Sequence, residues 1–369
     1  MNFEEWLAAG AGERRARGLE RRLDLPVEGA IDLAGNDYLG FSRDPRVVKA
    51  ASSAAETYGA GAGASRLVTG TLPVHQALED ALVDWTGRPA ALALSTGYHA
   101  NLAAVTAFTD EDTLIVSDAH VHASLIDACR LSRGTVKVVP HNDIAAVDEA
   151  LRNRYMTRAV VIVESIYSVL GGAAPLAELA TLCEQHGAVL LVDEAHGLGV
   201  AGAGGRGLVH AAGLAAAGDV VVTGTLSKAL GSQGGAILGS PAAIDHVVNT
   251  ARAFIYDTGL APAAAGAATE ALGILTSDPA PVERLHEVAA VLGDAIGATP
   301  AGAVMSVTMP GSRAALAAQK RCREDGVLVG CFRPPSTPDG TSRLRITASA
   351  RLSDSDLERA VTAITAVLP

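Results

Sequence analysis

Aromatic side chains are scarce in this chain: phenylalanine, tryptophan and tyrosine together make up 4% of it. Alanine and glycine dominate instead, which suits close packing of helices on a sheet. Cysteine is equally sparse. Cys129, Cys183, Cys322 and Cys331 form no C-x-x-C pair and no dense framework, so a disulfide scaffold is excluded and the thiols read as free, in a reducing cytoplasm. There is no excess of positive charge. A formal net charge of -11 argues against nucleic acid or an anionic membrane as the main partner; a local arginine cluster can still serve an anionic substrate. No apolar run approaches the roughly 20 residues of a membrane span. The opening Met-Asn-Phe-Glu-Glu-Trp is acidic and lacks a signal-peptide pattern. No internal repeat and no low-complexity linker interrupts the chain. The expectation is a cytoplasmic protein.

What is present is an α/β pattern. The 369 residues are 49% hydrophobic and 19% charged, enough for two or three core-bearing units. From about residue 75, helical stretches alternate with the apolar runs Ala90–Leu94, Thr113–Val116, Val136–Val139, Ala159–Val163, Ala188–Val192, Val220–Val222 and Ala236–Leu238. These runs are apolar almost throughout rather than alternating, the mark of strands covered on both faces and hence of a mainly parallel sheet. Pro262 and Pro279–Pro281 mark a handover to a smaller α/β unit with strands at Val304–Met309 and Arg343–Thr347. The expected division is 1–40 (N-terminal helix and strand), 41–272 (large domain) and 273–369 (small C-terminal domain). Residues 1–30 carry Arg14, Arg15, Arg17, Arg21 and Arg22 among leucines and alanines, the pattern of an amphipathic helix with a basic face.

One stretch asks for chemistry. Val220-Val-Val-Thr-Gly-Thr-Leu-Ser-Lys-Ala-Leu-Gly231 runs from a buried strand into hydroxyls, a lone lysine and glycine. A poorly solvated lysine loses its proton easily and can form a Schiff base. Hydroxyls and backbone amides around it can hold a phosphate. An exposed loop lysine is the competing explanation. Lysine beside a phosphate cup points to pyridoxal 5'-phosphate (PLP), and other strand ends carry groups this cofactor needs. Ser95-Thr-Gly-Tyr-His-Ala-Asn101 opens a helix, where Gly97 and Tyr98 offer backbone donors. Ser117-Asp-Ala-His-Val-His-Ala-Ser124 holds His120 and His122 without a carboxylate or thiol at metal-ligand spacing; His122 is the candidate to stack on a ring. Asp193-Glu-Ala-His-Gly197 ends a buried strand in an aspartate, which needs a partner there. A protonated pyridine nitrogen is such a partner, and His196, three residues on, is the candidate to reach a ring hydroxyl. An N-cap aspartate with a structural histidine is the plainer alternative. Gly202-Ala-Gly-Gly-Arg-Gly207 matches G-x-G-x-x-G but follows no strand directly, so it is weak as a dinucleotide fingerprint.

Together, Asp193-Glu-Ala-His-Gly197, Thr225-Leu-Ser-Lys228, Asn36-Asp-Tyr-Leu-Gly40, Gly63-Ala-Ser-Arg-Leu-Val-Thr-Gly70 and Arg333-Pro-Pro resemble the α-oxoamine synthases, a branch of the fold-type I PLP enzymes, nearly end to end. The resemblance implies a homodimer that condenses L-alanine with a pimeloyl thioester, on CoA or a carrier protein. It implies that Lys228 holds the cofactor aldehyde and moves the α-proton. Asp193 would pair with the pyridine nitrogen, His196 and Ser168 would serve the ring oxygen, and His122 would stack on the ring. Gly97, Tyr98, Thr225 and Ser227 would surround the phosphate, with Thr258 of the partner chain. Asn36 and Arg345 would take the amino acid's carboxylate, while Arg21 or Arg22, Arg333 and Ser336 would face the acyl substrate. Two positions depart from the family's pattern: Glu20 stands where an arginine is usual, and Asp257-Thr258-Gly259 where Ser-Thr-Ser is common. The nearest rivals are a sister synthase using glycine and acetyl-CoA, and an aminotransferase on the same fold.

Overall fold

The computed structural model describes every residue except Gly18, Arg22, Asp24, Pro26, Pro335, Ser336 and Pro338. Two of the expected substrate residues, Arg22 and Ser336, therefore lie outside the described residues. The chain divides into Met1–Ala30 and Ile31–Pro369.

Among its described residues the first unit holds one helix, Phe3–Ala16, opened by an Asn2–Glu5 capping box in which each side chain takes the other's backbone N–H. The basic residues Arg14 and Arg15 fall in its last turn, where they suit the helix dipole. The helix stops at Ala16 instead of continuing through the later arginines, and none of its residues is buried. Arg21 lies beyond it.

The second unit contains the strands β1 (Ile31–Leu33), β2 (Ala90–Leu94), β3 (Thr113–Asp118), β4 (Thr135–Val139), β5 (Arg158–Glu164), β6 (Val189–Asp193), β7 (Val220–Thr225), β8 (Gly235–Gly239), β9 (Val304–Thr308), β10 (Val327–Phe332) and β11 (Arg343–Thr347). Seven form one sheet in the order β2-β8-β7-β6-β5-β3-β4. All of its pairings are parallel except those of β8, which runs against both β2 and β7. Reversing twice leaves β2 parallel to β7, so the carboxyl ends of β2, β3, β5, β6 and β7 share one edge.

The apolar runs pack as two-faced strands. Val161, Val163, Leu190, Val192, Val220 and Val222 face one core. Val160, Ile162, Leu191 and Val221, the alternate positions, face another on the opposite side. Each such side chain contributes about 1.5–3 kcal/mol by leaving water, and helices cover both faces.

A second sheet has the order β1-β10-β11-β9. Its β10 was not among the expected strands. The β1 strand, far away in sequence, pairs with β10 in parallel, and the helix Pro262–Ser277 runs across position 272. Residues just after β1 are thereby held beside the C-terminal strands, which places Asn36 within reach of Arg345.

The glycine-rich Gly59–Gly70 segment carries one strong internal anchor. Arg66 forks onto both oxygens of Glu79 at 2.9 and 3.2 Å, and Glu79 also accepts the N–H of Ala93 in β2. Both side chains are nearly buried. Glu79→Ala leaves the guanidinium buried without its counter-charge, and we expect a loss of about 3–5 kcal/mol, read as a lower urea midpoint.

Candidate active site

The shared sheet edge opens into a cavity of about 260 Å³ whose lining includes Gly97, Tyr98, Asn101, His122, Ser124, Glu164, Asp193, His196, Thr225, Ser227 and Lys228. Eight of the sequence candidates thus meet in one place: Lys228, Asp193, His196, His122, Gly97, Tyr98, Thr225 and Ser227.

The helix Gly97–Phe108 begins at the end of β2 and points its amino terminus at the cavity. Thr96 caps the N–H of His99 at 3.0 Å. The amides of Gly97 and Tyr98 belong to the first turn, which has no intrahelical acceptor. Only glycine fits at 97, because a Cβ there would lie 2.9 Å from Thr225 Cβ. Thr225 and Ser227 bring their hydroxyls within 2.6 Å of each other opposite that helix end. Two amides, two hydroxyls and a helix dipole make a suitable phosphate cradle.

Asp193 ends β6 and is buried. Its two oxygens accept from Asn101 Nδ2 at 2.8 Å and from the Ala195 N–H at 2.9 Å. Asn101 spends its other amide hydrogen on Ser124 Oγ at 2.8 Å, while its oxygen takes the Thr223 hydroxyl at 2.6 Å. Ser124 continues the network to His122. The Ser124 N–H lies 3.2 Å and its hydroxyl 2.7 Å from His122 Nδ1. A backbone N–H can only donate, so His122 Nδ1 is an acceptor and the ring's proton sits on Nε2. Burial also disfavours the imidazolium, lowering its pKa. His122 is therefore a flat, neutral ring on the cavity wall. His120, the other histidine of that pair, packs edge-on against His141 instead, with ring centroids 4.9 Å apart.

Lys228 lies three residues past the end of β7. Its Nζ lies 2.8 Å from His196 Nε2. Burial brings its pKa down from 10.5 to about 8, with Asp193 and Glu164 opposing the shift. The same burial, with the Lys228 and Arg345 charges, holds His196 neutral, its pKa well below the ordinary value. Reductive methylation of the PLP-free protein by formaldehyde and cyanoborohydride is expected to modify Lys228 with a midpoint near pH 8. Peptide mapping across pH 6–11 reads this out, and a midpoint at the ordinary lysine value of about 10.4 would contradict it.

Asn36 and Arg345 stand behind His196. Arg345, on β11 and buried, donates from Nη2 to Asn36 Oδ1 at 3.0 Å and from Nε to the Ser168 carbonyl at 2.7 Å. Ser168 is placed as a backbone support for that arginine. Its N–H donates to Glu164 at 2.9 Å and its hydroxyl lies 3.4 Å from the same carboxylate; it does not line the cavity. Thr258 is exposed, bridges to Ser65 and is absent from the lining of its own chain's cavity. Arg333, just past β10, is absent from that lining as well.

Several supporting residues were assigned no role from the sequence. Asn101 lies four positions after Gly97, on the same helix face. Glu164 ends β5 in register with Asp193; burial and the Asp193 charge raise its pKa to about 8. Tyr38, in Asn36-Asp-Tyr, is fully buried against His196. A neighbouring carboxyl, Glu194, explains the glycine decoy. Its Oε1 accepts the Val209 N–H at 2.6 Å, and Gly207, at φ 91°, passes so close that a Cβ would sit 2.7 Å from that oxygen. The Gly202–Gly207 loop wraps a buried carboxyl.

The donor set fits PLP: an anion cradle, a buried carboxylate for the ring nitrogen, a flat ring on the wall and an amine of lowered pKa. Fold and site together define a fold-type I PLP-dependent enzyme. Residues 28–364 match the family described as aminotransferase class I and II. The chain is 53% identical to an 8-amino-7-oxononanoate synthase of Mycolicibacterium gilvum (strain PYR-GCK), over 98% of this chain and 97% of that protein. Its fold is shared with a Sphingomonas wittichii serine palmitoyltransferase (30% identity, TM-score 0.90, 98% of each chain covered). It is shared too with the serine palmitoyltransferase of S. paucimobilis with bound PLP and myriocin (29% identity, TM-score 0.89, 98% of this chain and 96% of that one). The chain belongs to the aminotransferase class I and II family, in its 8-amino-7-oxononanoate synthase branch.

Proposed function

We propose that the chain condenses L-alanine with a pimeloyl thioester to give 8-amino-7-oxononanoate, CO2 and the free thiol, a step of biotin biosynthesis. The observation that carries this is the meeting of Lys228, Asp193 and His196 in one cavity beside the Asn36–Arg345 pair, in a chain alike over its whole length to synthases of that name. Bound PLP supplies an electron sink for the electron pair at alanine's α-carbon. The protein supplies position and proton transfer. Arg345 and Asn36 hold the alanine carboxylate, which an arginine grips bidentately. Lys228 removes and returns the proton at the α-carbon, a task suited to an amine with a pKa near 8. A C–C bond forms between that carbon and the acyl carbonyl carbon, the C–S bond breaks, and the alanine carboxylate leaves as CO2.

Asp193 would hold the protonated ring nitrogen, His196 the ring oxygen and His122 the ring face, while Ser168, outside the cavity lining, would support Arg345. Gly97, Tyr98, Thr225 and Ser227 would hold the phosphate. Arg21 or Arg22, with Arg333 and Ser336, would meet the acyl substrate, carried on CoA or a carrier protein. The enzyme would work in the cytoplasm as a homodimer, with Thr258 reaching the phosphate of the partner's site. The exposure of Thr258 outside its own cavity supports that reading.

The test is a product assay crossing alanine, glycine and serine with acyl thioesters of different length. Alanine with pimeloyl thioester is expected to give the highest kcat/KM. Faster turnover of glycine with acetyl-CoA, or of serine with a long-chain acyl-CoA, would reassign the substrate within the same chemistry. Net conversion of PLP to its amine form by alanine alone would indicate an aminotransferase.

A further inference from the structure

The contacts running from Arg345 to Lys228 constrain where their protons lie. Arginine offers donors only. Its Nη2 is 3.0 Å from Asn36 Oδ1, which fixes that atom as the amide oxygen. The Tyr38 hydroxyl is 3.0 Å from the same oxygen, and two oxygens so close need a hydrogen between them. A hydroxyl has one hydrogen, so Tyr38 spends it on Asn36. What Tyr38 has left is a lone pair, and His196 Nδ1 lies 2.7 Å from it. The ring proton must then be on Nδ1. Nε2 is bare, and it accepts from Lys228 Nζ at 2.8 Å. Every side chain in this series except Lys228 and Asn36 is at least nine-tenths buried, so bulk water does not substitute for a missing partner.

We propose that Tyr38 is a positioning residue: it reads the orientation of Asn36 and Arg345 and fixes the His196 tautomer, so that the carboxylate clamp and Lys228 form one hydrogen-bonded unit. The inference rests on the clamp assignment made above. Its consequence is that a change at Asn36 reaches Lys228, which Asn36 does not touch. Tyr38 does not line the cavity, so its hydroxyl acts through His196.

The test uses full-length, PLP-free protein labelled with ¹⁵N-histidine, in which long-range ¹H–¹⁵N spectra distinguish protonated from bare ring nitrogens. His196→Asn assigns the signal. The wild type is expected to carry its proton on Nδ1. Asn36→Ala removes the acceptor, frees the Tyr38 hydroxyl to donate to Nδ1, and should invert the tautomer to Nε2–H. Tyr38→Phe, which keeps the ring's shape, removes the lone pair and should end the exclusive Nδ1–H form. In the product assay, Tyr38→Phe should lower kcat by about tenfold, the size of one net hydrogen bond, with the alanine KM within about twofold of wild type. Asn36→Ala should raise that KM. A wild-type Nε2–H form, an unchanged tautomer in Asn36→Ala, or unchanged turnover in Tyr38→Phe would each overturn the proposal. The spectra contain no substrate, so a reassigned substrate leaves the tautomer result standing, and a wrong tautomer leaves the product assay standing.

Discussion

Lys228→Ala is expected to lower turnover by about 10⁴-fold or more while leaving the protein folded. Among the side chains lining the cavity, Lys228 is the only amine, and proton transfer together with covalent capture of an aldehyde accounts for a loss of this size. Folding should not suffer. The substitution removes an ammonium whose burial is unfavourable, as its lowered pKa shows, so thermal midpoints of the PLP-free proteins should match or rise slightly. Rate and stability therefore move independently, and a collapsed midpoint would mean that the lysine is structural. The same variant tests the dimer. Thr258→Val is expected to damage the partner's phosphate site. In the proposed homodimer, the two inactive variants refolded together would form mixed dimers with one site that has both Lys228 and Thr258. Activity should return to about a quarter of wild type, since half the dimers are mixed and each has one working site of two. If Thr258 serves its own chain, mixing restores nothing.

The strands of the large sheet were legible for a physical reason. Covered on both faces, they have no solvent side to interrupt the apolar run, and Val160 through Val163 or Leu190 through Val192 leave little ambiguity. The β10 strand was not legible. Only Val327 and Val329 of its six residues are buried, and Gly330 and Cys331 blur the alternation that would have marked it. Its partner β1 lies about 300 residues away, a pairing that no local pattern announces. The same holds for the site. Residues whose chemistry shows in their type, such as Lys228, Asp193 and His196, could be chosen from strand ends. Asn101 and Tyr38 could not. An asparagine inside a helix or a tyrosine after a short strand is ordinary in sequence, and its role exists only through partners brought together by the fold. The basic N-terminal pattern misled differently: charge periodicity outlasted the helix, which ends at Ala16.

Asp193→Asn should reduce turnover by about 10³-fold, ~4 kcal/mol in barrier, at saturating PLP. Loss of charge is the larger part. A carboxylate at the end of β6 favours a protonated ring nitrogen, and a neutral amide does not. The surroundings add a second effect that the isosteric shape conceals. Both Asp193 oxygens accept from donors, Asn101 Nδ2 at 2.8 Å and the Ala195 N–H at 2.9 Å. An asparagine has one oxygen, so its amide nitrogen must face one of these donors, a mismatch that burial makes costly. Turning Asn101 over does not resolve it, because the Asn101 oxygen holds Thr223 and its nitrogen holds Ser124. A flip would withdraw the hydrogen bond to Ser124, the residue that keeps His122 in its Nε2–H form. The damage thus reaches His122 through a neutral network. Asn101→Ala separates the two effects. It keeps the charge and disturbs the network, and should cost about tenfold. Steady-state rates of the two variants at saturating PLP give the comparison. Near-wild-type turnover in Asp193→Asn would remove Asp193 from its role, and equal losses in both variants would mean that alignment, not charge, is what β6 contributes.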